Sequence, residues 1–83
     1  MKYRKKPVVI EAVEWPGYFY GDMRKFIDPS DVTVFETRGE MIINTPEGER
    51  TVSKGDFIIK GIRGEYYPCK PDIFWATYER VEE

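Results

Sequence analysis

Histidine is absent from this 83-residue chain, and cysteine occurs once, at Cys69. Without histidine, the usual general base near neutral pH and the commonest metal ligand are both missing. A Ser-His or Cys-His nucleophilic pair cannot be assembled, nor can a Cys/His zinc site. Carboxylates remain, yet no spacing singles out one pair among the fifteen acidic residues. These gaps argue against an enzyme and against a resident metal or other cofactor. A lone cysteine excludes an internal disulfide, which fits a reducing compartment. Long apolar runs are lacking as well. No stretch approaches the roughly 20 apolar residues of a membrane span, and no apolar signal segment follows the basic start. The expectation is a soluble, cytoplasmic chain with no membrane partner.

What is present is a supply of aromatic residues (two Trp, six Tyr and five Phe) in a chain of one-domain length. Each can remove roughly 150–250 Å² from water, so they supply much of the core that so small a domain needs. The formal net charge of −2 argues against a general nucleic-acid binder. The charge is unevenly spread, however. Lys2, Arg4, Lys5 and Lys6 lie within the first six residues, leaving nine basic against fifteen acidic groups in the remainder. Such a basic arm is either a phosphate-touching segment, and hence a weak nucleic-acid contact, or a solvated strand leader that discourages edge-to-edge pairing.

The residue pattern predicts an α+β fold, a small curved sheet forming a roll or partial barrel with one short helix near residues 22–28, all in one domain spanning residues 1–83. Val8 to Trp15 is rich in β-branched residues and reads as a strand. Val9, Val13 and Trp15 share one face with Glu11, and Val8, Ile10 and Ala12 share the other, as in a central or doubly covered strand. Pro16-Gly17 ends it, and Asp22 is placed to cap a short helix over Met23 to Ile27 that Pro29 terminates. From Val32 the chain alternates short strands with turns at Arg38-Gly39, Thr45 to Gly48, Lys54 to Asp56 and Gly61 to Gly64. Asp72 can cap one helical turn, and Trp75 to Val81 alternates as a closing strand does.

Two segments carry candidate chemistry. In Gly61 to Phe74, GIRGEYYPCKPDIF, glycines at 61 and 64 permit positive φ at a hairpin tip, and Pro68 and Pro71 mark an edge or a bend. Cys69 is then a small buried hydrophobe or a reactive thiol. Read as a site, the same stretch offers Arg63 and Lys70 as positive charge, Tyr66 as a stacking surface and Asp72 to orient a donor. GIRG lacks the spacing and the Lys-Ser/Thr ending of a phosphate-binding P-loop. The second segment is Tyr18-Phe19-Tyr20, whose three aromatics cannot all face one core.

The wording KYRKKPVVIEAVEW, then KGDFIIKGIRGEYYPCKPDIF and a late TYE, resembles a family of small phage and prophage proteins of unknown function. The likeness covers roughly residues 2–15 and 54–79. Family members often carry proline where this chain has Lys54, and a polar residue where it has Trp75. The resemblance implies a phage-related origin and a bacterial cytoplasm as the setting, and it supplies no catalytic residues. The expected function is binding without catalysis, the partner being a host protein or a small anionic, nucleotide-like ligand. The alternative is an assembly module acting as a homodimer or larger homo-oligomer through its strand edges.

Overall fold

Residues 1–4 and 6–81 are described by a computed structural model. Six short strands and two helices follow in the order β1 (Glu11–Glu14), α1 (Met23–Phe26), β2 (Val32–Phe35), β3 (Glu40–Thr45), β4 (Gly48–Val52), β5 (Phe57–Lys60), β6 (Tyr66–Cys69) and α2 (Pro71–Thr77). The strands form two three-stranded antiparallel sheets, ordered β1-β5-β6 and β2-β3-β4. The fold is α+β, as its residue pattern predicts. The sheets do not close into a barrel, and the single curved sheet of that reading is two separate sheets.

Phe57 to Lys60 explains the layering. Its apolar residues are buried on both sides: Ile58 faces one cluster with Trp15, Met41, Ile43 and Val52, while Phe57 and Ile59 face a second with Phe74. The first cluster fills the space between the two sheets, together with Met23 and Ile27 from the α1 region. The second lies between the β1-β5-β6 sheet and α2, where Phe57 and Phe74 stack at 3.9 Å and 5°. Period-2 alternation thus lets one strand serve two cores.

Three expectations require correction. The first strand is shorter than Val8 to Trp15 and is an edge, because β5 ends at Lys60, the partner of Glu11, before the chain turns at Gly61. Its double coverage holds, with Val13 against the first cluster and Ile10 and Ala12 against the second. Trp75 to Val81 is not a closing strand: Trp75, Ala76 and Thr77 complete α2, and Tyr78 to Val81 belong to no helix or strand. The alternation there was real, but proline at the first helical position and the pull of Phe74 toward Phe57 favour a helix. Finally, neither aspartate caps its helix as expected. Asp22 is itself helical and accepts no capping bond, and Lys70 is the N-cap of α2, with Asp72 inside the first turn.

Pro68 sits in β6, an edge strand, where its missing N–H costs no ladder bond on the open side. The radius of gyration, 13.6 Å, exceeds the about 12 Å expected for a compact chain of this length. Residues 1–4 and 6–9 are exposed and belong to no helix or strand.

Candidate functional site

The four residues singled out in the Gly61–Phe74 segment are spread along β6 and beyond both its ends. Arg63 is exposed at the β5–β6 turn, while Lys70 and Asp72 follow the far end of the strand. Four residues of strand separate Tyr66 from Lys70, roughly 13 Å at the usual rise. Tyr66 turns inward, donates its hydroxyl to the Phe26 carbonyl at 2.5 Å and packs edge-on against the Phe26 ring. Lys70 extends to the carboxylate of Asp56, with Nζ 3.1 and 3.2 Å from its two oxygens. Asp56 is buried, and its Oδ2 also accepts the Ser53 N–H. The structure therefore gives Tyr66 and Lys70 tertiary partners and leaves Arg63 and Asp72 at opposite ends of the strand.

The turn itself is corner chemistry. Gly64 has φ +81°, while Gly61 has no positive φ and instead donates its N–H to the Glu65 carbonyl. Cys69 is partly buried beside Phe57 and Phe74, and its thiol pKa is raised, by burial first and then by Asp56 and Asp72. That is the opposite of what a nucleophilic thiolate needs.

Two open clefts mark the surface. One, of about 550 Å³, lies between the tip of the β3–β4 hairpin and β6 and includes Tyr66 and Tyr67. Its charges are Arg50 against Glu47 and Glu65, and Arg50 faces Glu47 at 3.7 Å. An anion gains nothing there.

The other cleft, of about 510 Å³, is where three turns converge: Pro16-Gly17-Tyr18 after β1, Glu36 to Gly39 before β3, and Lys54 before β5. Each turn has a local cause. Gly17 and Gly39 hold φ +101° and +65°, a region that costs other residues roughly 1–2 kcal/mol. The tertiary cause is Trp15, fully buried, whose indole Nε1 donates to the Gly39 carbonyl at 2.8 Å. Its backbone N–H donates to the Asp56 carbonyl, and its carbonyl accepts the Gly55 N–H. One side chain and its own peptide groups thus tie all three turns together. The backbones approach so closely that a methyl group on Gly17 would sit 3.7 Å from the Gly39 Cα and 3.4 Å from the Lys54 side chain.

Around this glycine pair stand Arg38 and Lys54 with the carboxylate of Glu36, and Lys54 has no carboxylate within ion-pair distance among the described residues. Tyr18 is exposed at the rim and meets Tyr20 edge-on at 6.0 Å. Arg38 lies over the half-buried Phe35 ring at 4.5 Å and touches the half-buried Glu40 at 3.7 Å, while its own side chain is 61% exposed. The arrangement can accept an anion between two cations and stack a planar ring on a tyrosine. Among the described residues no group of three side chains could hold a metal ion, and no helix is long and apolar enough to cross a membrane.

Sequence reasoning marked Gly17, Arg38-Gly39 and Lys54 separately as turn residues and Tyr18 as a candidate exposed aromatic. Nothing local signals that the three turns meet. No family model, curated protein or solved structure matches the chain.

Proposed function

We propose that the chain is a non-catalytic phage or prophage accessory protein that binds a small anionic, nucleotide-like ligand in the Gly17–Gly39 cleft. The observation that carries this reading is the pairing of two cations and an exposed tyrosine around two closely packed glycine turns. Arg38 and Lys54 would meet the phosphate or other anionic group, and Tyr18 would stack on the base. The phage setting rests on the resemblance in residues 2–15 and 54–79. Sequestering a ligand requires no general base, so the lack of histidine is no handicap.

The test is to purify the protein from bacterial cells, denature it and identify the small molecules released by mass spectrometry. The reading expects a phosphorylated, ring-bearing compound from the parent and its loss from the Arg38→Ala/Lys54→Ala variant. Equal yields from parent and variant, or none from either when the candidate nucleotides are added in excess, would refute it.

A second reading, a host-protein partner, is favoured by one feature. Ile73 and Trp75 on α2 are 55% and 61% exposed although the same helix buries Phe74. Exposed aromatic residues such as Trp75 are enriched at protein interfaces. Trp75→Ser should abolish host-protein capture under this reading and leave small-molecule binding untouched.

A further inference from the structure

We infer that two copies of this chain associate by antiparallel pairing of the segment from Lys6 to Ala12 with itself, across the free edge of β1. Among the described residues β1 is hydrogen-bonded on one side alone, to β5, so its other row of peptide groups has no strand partner there. The residues just before it, Val8 and Val9, are β-branched and 45% and 76% exposed. They have the sequence of a strand but nothing to pair with, since β5 ends opposite Glu11. A second copy of the same edge supplies what is missing.

The direction of the peptide groups favours this pairing. Trp15 donates its N–H to Asp56 and accepts from Gly55, so its backbone polar groups point toward the β5 side. In a regular strand alternate residues point the same way. Val13 and Glu11 therefore direct their peptide groups inward, and Glu14 and Ala12 outward; the same alternation carried back through the unpaired residues would set Val9 and Pro7 inward, and Ile10, Val8 and Lys6 outward. Pro7 is the one residue in this stretch without an N–H, and its missing donor falls on the inner side. The outer row is intact.

Charge selects the occupant. Lys2, Arg4 and Lys6 precede the apolar run, and Glu11 and Glu14 follow it. Lysines on an edge discourage pairing with an arbitrary strand. Antiparallel self-pairing instead sets the basic end of one copy beside the acidic end of the other. Centred on Val9, it places Lys6 diagonal to Glu14 of the partner subunit and Val8 opposite Ile10 of the partner subunit. The result is one continuous six-stranded sheet with a twofold axis at Val9. This interface is independent of the proposed ligand cleft.

Light scattering and crosslinking test it together. The parent is expected at twice the 9.8 kDa chain mass. Val8→Pro removes an outward N–H at an exposed position, and it should give monomer with the melting temperature that the parent shows when diluted to monomer. Lys6→Glu should raise the dimer dissociation constant about tenfold or more, and adding Glu14→Lys should restore it. In the Cys69→Ala background, Val9→Cys places two thiols across the axis in a non-hydrogen-bonded pair, where Cα atoms lie about 4.5 Å apart and a disulfide can close. Rapid oxidation to covalent dimer is expected. A parent that stays at monomer mass up to about 1 mM, where even weak complexes form, overturns the inference. So does a dimer that survives Val8→Pro.

Discussion

Asp56 holds more of the molecule together than its size suggests. Its carboxylate takes the Ser53 N–H and the Lys70 ammonium, and its carbonyl takes the Trp15 N–H. Removing the buried carboxylate leaves those donors unanswered, so Asp56→Ala should cost about 2 kcal/mol, less than a fully buried pair because Lys70 is mostly exposed. Lys70→Ala should cost about 1 kcal/mol, and denaturant midpoints separate the two. Sequence reasoning offered Lys70 as positive charge for a site because its partner is 14 residues away, beyond any local pattern. Cys69→Ala should cost roughly 1–2 kcal/mol through lost packing, and slow labelling of the native thiol would accompany it. Tyr67 is more unusual: burial first, then Tyr78 beside it, push its phenol up to about 12. An unfolded tyrosine ionises near 10, below the folded value. The stability this gives is complete below about pH 10 and disappears as pH rises toward 12. Thermal melts across that window should fall in the parent and fall less in Tyr67→Phe.

At the scale of elements, the strands read well where alternation and turn residues agree. Phe57 to Lys60 has the predicted bounds, and Val32, Met41 and Arg50 all lie in strands as expected. The reading failed where alternation was the sole signal. Trp75 to Val81 alternates, but Phe74 must reach Phe57 while Tyr78 tilts against it from one turn later, and that spacing is helical. Phe74→Ala should cost about 3 kcal/mol, since it removes the ring that ties α2 to the sheet. Ala76→Pro is a cleaner probe because Ala76 is exposed and contributes no core packing. A helix loses about 3 kcal/mol from an interior proline, whereas an edge strand would tolerate one far better. A Tm within a degree or two of the parent would contradict the helix. The first strand failed differently: its residues are suited to a sheet, but β5 is too short to pair with all of them.

For the whole molecule, the organising fact is the meeting of three turns that lie far apart in the chain. Each was legible as a turn from its glycine or proline, and Tyr18 was legible as one aromatic too many for the core. Their convergence was not, because it depends on Trp15 reaching Gly39 across 24 residues and on the pairing of sheets that no local window contains. If the cleft holds a nucleotide-like anion, ligand at a hundredfold its Kd should stabilise the fold by about 2.7 kcal/mol. That is a rise of roughly 10–20 °C in Tm for a domain this small, and it should vanish in Lys54→Ala/Arg38→Ala. The most direct measurement is a nitrogen-15 amide NMR titration of the full chain with a panel of nucleoside phosphates. The account predicts saturable shifts concentrated at Gly17, Tyr18, Gly39 and Lys54, with the amides of Arg63 and Asp72 undisturbed. Saturable shifts centred on the Gly61–Phe74 segment, or none anywhere at millimolar ligand, would contradict it.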